Sequence, residues 1–312
     1  MSVSPAVVFA YRRPEMVERR IHELINWSES IPIQIHVDGL RANANSMELN
    51  QRLQTIEASI SLAESFQNID VKIWNENLGV NQHAARVMEI ILAEYDSLLC
   101  IEDDVSHSRE ALDFLVGGAK SFEAQAVVGH SKRDHFGIDV SFGSTLFPLQ
   151  WGLLLKREVM EDYIRLMKDG KIKKTLIRRA FENFFGSSLS KYQKEKLTLY
   201  WFNHFFFCMK HGNYGDALFQ YCITAMGSYY MEPSRSLVHD DAKLNDERSM
   251  NIRTKPSFRT NCDKATQKNQ YQFDCSKCLM ENSHIHDLTF RNLLGATKHR
   301  YVVNLKERHK QK

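Results

Sequence analysis

Three carboxylates stand side by side at Glu102-Asp103-Asp104, directly after the run Ser97-Leu98-Leu99-Cys100-Ile101. Apolar residues without alternation read as a strand buried on both faces. In open α/β sheets ligands bind at the carboxyl ends of strands, which is where the tripeptide falls. So much negative charge at one point calls for a positive neighbour. A divalent cation with oxygen ligands, itself holding a diphosphate, is the natural one. A solvated acidic turn is the alternative. A second cluster lies near the end of the chain, where Cys262, Cys275 and Cys278 follow a Cys-x12-Cys-x2-Cys spacing ahead of His284 and His286. These are competent zinc ligands if a histidine completes the set, and free thiols otherwise. Cys100, Cys208 and Cys222 sit in apolar surroundings and read as buried thiols.

The elements that must position the acids are legible upstream. Ala6-Val7-Val8-Phe9-Ala10 is a short apolar strand, and Tyr11-Arg12-Arg13-Pro14 follows it, with Pro14 suited to a first helical turn. Met16, Val17, Ile21, Leu24 and Ile25 recur at helical spacing. Ile31 to Val37 reads as a second strand ending in Asp38-Gly39, and a helix carrying Leu49, Leu53 and Ile56 comes next. Val71 to Trp74 reads as a third strand, and residues 84–95 as a helix leading into the acidic strand. Strand–helix alternation of this kind predicts a parallel, doubly wound sheet. No Gly-x-Gly-x-x-Gly follows the first strand, which argues against a dinucleotide-binding enzyme. The second half is less regular. It contains Trp151-Gly152-Leu153-Leu154-Leu155, several lysine- and arginine-rich helical patterns over 156–200, aromatic-rich structure over 201–238, and a polar end.

The 312 residues are enough for a large core. A net charge of +3 is too small to point to nucleic acid, and no run of about 18 apolar residues would span a membrane. The first residues show no basic and apolar secretion pattern, so the expectation is a soluble, cytoplasmic protein. Lys168, Lys171, Lys173, Lys174, Arg178 and Arg179 alternate with Ile172, Leu176 and Ile177. Such a pattern suits either a solvated helix or peripheral contact with an anionic membrane at its inner face.

In order along the chain, these motifs resemble a glycosyltransferase of the GT-A fold. More narrowly, they resemble the inverting N-acetylglucosaminyltransferase I-like enzymes and their bacterial, family 2-like relatives. Tyr11-Arg12-Arg13-Pro14 is similar to the family's opening segment, and His36-Val37-Asp38-Gly39 to its second-strand acid. Glu76-Asn77-Leu78-Gly79 is similar to its Asn-Leu-Gly element, Ile101-Glu102-Asp103-Asp104 to its acidic metal motif, and Trp151-Gly152 to its aromatic–glycine pair. The likeness covers roughly residues 5–240. It implies a Rossmann-like α/β sheet for nucleotide-diphospho-sugars, with helices on both faces and an irregular C-terminal extension. The implied division is a transferase domain over 1–240, with a nucleotide-binding half 1–105 and an acceptor half 106–240. Residues 241–312 would form a polar extension with a Cys/His subdomain.

The resemblance also implies roles. Asp104 would bind Mn²⁺ or Mg²⁺, helped by His239, which follows the Pro233-to-Val238 segment, with zinc at the C-terminal cysteines a separate matter. Tyr11, Arg13, Asp38, Asn77, Gly79, Glu102, Asp103, Trp151 and Gly152 would contact the nucleotide sugar. Asp216, in the turn Gly212-Asn213-Tyr214-Gly215-Asp216, would be the base; an N-cap role suits the same residue. The expected reaction is metal-dependent, inverting transfer of a hexosyl or N-acetylhexosaminyl group. It would run from a UDP-linked donor to a saccharide or lipid-linked acceptor in surface polysaccharide synthesis. A nucleotidyltransferase and a non-catalytic GT-A-like scaffold are the competing classes. The former would carry a glycine-rich phosphate loop where this chain has Tyr11-Arg12-Arg13-Pro14.

Overall fold

The computed structural model describes residues 4–121, 124–130, 142–145, 148, 150–211, 215–233 and 236–241. The order of elements begins β1 (Ala6–Ala10), α1 (Pro14–Trp27), β2 (Ile33–Val37), α2 (Ser46–Ser65), β3 (Ile69–Ile73), α3 (Gly79–Ile91) and β4 (Ser97–Glu102). There follow β5 (Val105–His107), α4 (Arg109–Ser121), β6 (Ala126–Val128), β7 (Phe142–Thr145), β8 (Leu153–Lys156) and α5 (Arg157–Asp169). The last described elements are α6 (Lys174–Phe185), α7 (Lys191–His211), α8 (Gly215–Ala225), β9 (Tyr230–Pro233) and β10 (Val238–Asp240).

Among the described residues eight strands form one sheet in the order β3-β2-β1-β4-β8-β6-β9-β7, and β5 and β10 form a separate two-stranded ribbon. The first four positions are parallel, as the strand–helix alternation predicts. From β4 onward the sheet is mixed, with β8 antiparallel to both β4 and β6. Helices cover both faces, so the α/β class with a Rossmann-like first half holds. Side chains alternate along the strands, so each central strand feeds two cores. Val7, Leu98 and Cys100 face the layer of α3, α5, α6, α7 and α8. Ala6, Val8, Leu99 and Ile101 face that of α1, α2 and α4.

Local details follow from residue type. Pro14 starts α1, where its missing N–H is harmless, and Met16, Val17, Ile21 and Leu24 face the core. α2 departs from the pattern read in its sequence. Its buried line is Glu48, Thr55, Ser59 and Leu62, whereas Leu49 and Leu53 are exposed. The small Thr55 and Ser59 let the helix settle close to its neighbours. Their hydroxyls donate to the carbonyls of Gln51 and Thr55, so they enter the interior already satisfied. Apolar spacing alone does not reveal that choice of face. The run at Trp151 becomes strand only from Leu153, because Gly152 adopts φ +60 and bends the chain first.

Candidate active site

The acidic tripeptide leaves the sheet at the end of β4, which is flanked by β1 and β8. Its first positive neighbour comes from within the chain. Arg13, just past β1, donates from Nε to Asp103 Oδ2 at 2.9 Å and from Nη1 to Asp104 Oδ2 at 2.8 Å. Its Nη2 donates to the other oxygen of Asp103. One guanidinium therefore grips Asp103 through both oxygens and reaches Asp104, the fork geometry for which arginine is suited. The resemblance implies a nucleotide-sugar contact for Arg13; in the structure its guanidinium is engaged by these two acids. Burial and the two carboxylates act on Arg13 in opposite senses, and the carboxylates win, raising its already high pKa.

Negative charge still exceeds positive charge here. Burial raises the Asp103 carboxyl to about 6, outweighing the pull of Arg13. Burial, followed by the charges of Asp216, Asp104 and Asp103, lifts Glu102 well above the usual carboxylate range against the opposing pull of Arg13. Asp216 is pushed up to about 6 by burial and by Asp104, although its backbone hydrogen bond pulls the other way. Its side chain meets solvent. Asp216 is 112 residues away in sequence from Asp104, and the fold brings their charges within reach of each other.

Asp216 occupies the first turn of α8. Gln150 fixes that end, its Nε2 donating to the Asp216 carbonyl at 2.7 Å and to the Tyr230 hydroxyl at 3.0 Å. Trp151 meets the His130 ring edge-on, with centroids 5.1 Å apart. A Cβ on Gly152 would approach Val238 Cγ1 to 2.9 Å and His107 Nε2 to 3.0 Å, so this glycine is where the second half closes on the β5–β10 ribbon. That ribbon emerges directly from the acidic turn. Asp241 N–H donates to the Asp104 carbonyl at 2.8 Å, and His239 lies opposite Ser106 with its side chain exposed.

The end of β2 lies on the far side of β1 from β4. Asp38 Oδ1 accepts from Gly39 N–H at 2.8 Å and from Leu78 N–H at 3.1 Å, while Oδ2 accepts from Asn77 Nδ2 at 3.1 Å. Asn77 Nδ2 also donates to the Gly39 carbonyl at 2.8 Å. Asp38 and Asn77 thus tie the β2 exit to the loop entering α3, and Gly79, at φ +69, turns that loop into the helix. A Cβ on Gly39 would lie 2.0 Å from the Glu76 carbonyl carbon, so only glycine permits this approach. Tyr11 donates its hydroxyl to Glu48 Oε1 at 2.7 Å, and the Arg41 guanidinium lies 5.4 Å from the Tyr11 ring centroid.

Several contributors had no place in the sequence motifs. Arg52 donates to the Asp38 and Trp74 carbonyls, both at 2.8 Å, bracing the ends of β2 and β3. Glu48 could have been found, since Asn45-x-x-Glu48 has the form of a capping box and Asn45 does cap α2. Behind Asp38 lie His36 and His83, packed with Trp74 and Phe9. Burial holds His36 down to about 3, reinforced by His83 and Lys72, and lowers His83 against the pull of Asp38. Both stay neutral at physiological pH.

Uncompensated acids at a strand end fit a cation, and Arg13 reaches Asp104 at Oδ2, on one side of its carboxylate. Among the described residues no three His, Cys, Asp or Glu side chains already converge as a metal cage. Cys262, Cys275, Cys278, His284 and His286 lie outside the described residues. Of the basic stretch, Lys168 pairs with Glu89 at 2.9 Å, and Lys174 and Arg178 share Glu195 at 2.7 Å each. No described helix is long and apolar enough to cross a membrane.

The chain matches no protein-family model and no curated protein. Among solved structures, a mannosyltransferase from Pyrobaculum calidifontis, in complex with GDP-Man and Mn²⁺, is 13% identical over 71% of this chain and 69% of its own, with a TM-score of 0.40. HddC from Yersinia pseudotuberculosis is 14% identical over 51% of this chain and 80% of its own, at TM-score 0.32. S. aureus TarS 1-349, in complex with UDP-GlcNAc, is 13% identical over 51% of this chain and 47% of its own, at TM-score 0.35. Similarities this distant are silent on chemistry. The α/β architecture stands on the strand order and layers described above.

Proposed function

We propose that the chain is an inverting, metal-dependent glycosyltransferase that moves a hexosyl or N-acetylhexosaminyl group from a UDP-linked donor to a saccharide or lipid-linked acceptor. The observation that carries this reading is the meeting of Asp216 with Glu102-Asp103-Asp104 at the end of β4. A carboxylate poised near 6 is well matched to general-base work at neutral pH. In the proposed step the Asp216 carboxylate takes the acceptor hydroxyl proton and the acceptor oxygen bonds to the sugar C1. The C1–phosphate bond breaks and its electron pair leaves with the nucleoside diphosphate. Asp104 and His239 are the residues that would hold Mn²⁺ or Mg²⁺, whose chemistry is to neutralise the diphosphate leaving group. Tyr11, Asp38 and Asn77 would line the nucleoside side. Glu102 and Asp103 would face the ribose and diphosphate, with Arg13 holding Asp103 in place, and Trp151-Gly152 would border the sugar.

A lipid-linked acceptor is supported by the outward face of α7. Leu199, Phe206 and Phe207 are exposed there between Lys196 and Lys210. An apolar stripe flanked by cations suits an anionic lipid surface.

One observation favours the scaffold alternative: Arg13 already engages the acids that a cation would use. Thermal stabilisation by a panel of nucleotide sugars, with and without Mn²⁺, separates the readings. A ligand at about 100 times its Kd adds roughly 2.7 kcal/mol of stability. The transferase reading expects an Mn²⁺-dependent shift with a UDP-sugar, its loss in Asp104→Ala, and binding without turnover in Asp216→Asn. Turnover that survives in Asp216→Asn would remove that residue as the base. The absence of any donor shift would leave the scaffold.

A further inference from the structure

Among the described residues β3 is the edge strand of the sheet, and its outward backbone can be worked out residue by residue. Ile33 N–H donates to the Asn68 carbonyl and Trp74 N–H to the Val37 carbonyl, both at 2.9 Å. Backbone direction alternates along a strand, so Asp70 and Lys72 are the residues that bond to β2. The N–H and C=O groups of Val71 and Ile73 then point away from the sheet. A row of outward backbone groups is a template for another strand.

The side chains around that template complement themselves. The strand reads Ile69-Asp70-Val71-Lys72-Ile73. If a second β3 pairs antiparallel about Val71, then Ile69 meets Ile73 of the other copy, Asp70 meets its Lys72, and Val71 meets itself. Val71 would be a hydrogen-bonded pair in that register, as its outward N–H and C=O require. Asp70 and Lys72 are exposed, and the Lys72 ammonium is 5.4 Å from the Trp74 ring centroid.

The helix beside this edge is apolar where solvent would favour polar residues. Arg52 marks the flank of α2 that faces the ends of β2 and β3. Continuing around that flank by helical geometry come Ile56, Leu49, Ile60 and Leu53. Ile56 packs on the core, whereas Leu49, Ile60 and Leu53 are 39%, 42% and 44% exposed. Ile73, whose side chain lies on the same face of the sheet as Val71 and Ile69, is 40% exposed. A two-fold axis through Val71 would bring α2 against α2 of the second copy on that face and cover these residues.

We propose that the chain forms a symmetric dimer in which β3 of two copies pairs antiparallel about Val71 and the apolar flanks of α2 pack together above the joined sheet. The sheet then continues through both subunits, with the two candidate active sites at separate strand ends. The proposal is independent of the reaction assigned above.

Charge reversal tests it by sedimentation at micromolar concentrations. Wild type is expected to be dimeric. Asp70→Lys sets lysine against lysine at both symmetric positions, and Lys72→Asp sets acid against acid. Each is expected to raise the dimer Kd by about tenfold or more, since each turns two cross-strand attractions into repulsions. Mixing the two variants restores complementary pairs, so a heterodimer is expected although neither variant associates with itself. Leu53→Glu is expected to weaken the dimer without losing the monomer's circular dichroism. A monomeric wild type, a dimer indifferent to both reversals, or variants that stay apart on mixing would overturn the proposal.

Discussion

Replacing Asp216 with Asn separates the cost of the acidic site from its use. The carboxyl is pushed up to about 6 by burial and by Asp104. An unfolded aspartate titrates near 3.9, so holding this one ionised at neutral pH costs up to ~3 kcal/mol. The side chain meets solvent, and screening reduces that figure to about 1 kcal/mol. The favourable pull of its backbone hydrogen bond is already contained in the net shift. The sign follows from proton linkage. With the folded pKa above the unfolded one, the folded state binds more protons, and this contribution to stability is lost as pH rises through the folded value. Asp216→Asn is therefore expected to be more stable than wild type by ~1 kcal/mol at about pH 7.5, a rise in Tm of roughly 2–4 °C. At about pH 3.5, below the unfolded value, both states are mostly protonated and the difference should largely vanish. Thermal melts followed by circular dichroism without added metal, in the two buffers, measure it. A variant less stable at the higher pH, or an offset that does not change with pH, would refute the idea that uncompensated acids crowd this site.

Two further outcomes rest on other parts of the structure. Gly39→Ala forces a Cβ against the Glu76–Asn77 backbone and is expected to cost about 3 kcal/mol. A comparable urea-unfolding midpoint in the variant would contradict that packing. Phe206→Ser with Leu199→Ser is expected to reduce co-sedimentation with phosphatidylglycerol vesicles while leaving the melting profile intact; unchanged binding would remove the membrane role of α7.

Much of the first half was legible because its signals are local. Apolar strands separated by amphipathic helices specify β1 to β4 without reference to anything distant, and Pro14 marks the start of α1. The acids at the end of β4 were legible for the same reason. Their partner was not: Arg13 and Arg12 are adjacent arginines, and only the crossing of β1 beside β4 decides that Arg13 grips Asp103. By resemblance Asp38 reads as a nucleotide-sugar contact. In the fold it joins two loops, because the loop before α3 comes close enough for its N–H groups to reach the carboxylate.

The sequence by itself determined residue types and periodicities: the α/β alternation, the cluster of carboxylates, the glycines at 39, 79 and 152, and an Asp at the head of an apolar helix. Tertiary structure decided which face of α2 is buried. It decided that the second half turns β8 antiparallel and carries α8 back to β4. It also decided that Asp216 and Asp104, 112 residues apart, share one electrostatic environment. Burial and charge coupling depend on distances through space, and a linear pattern holds no such distances until the chain has closed on itself.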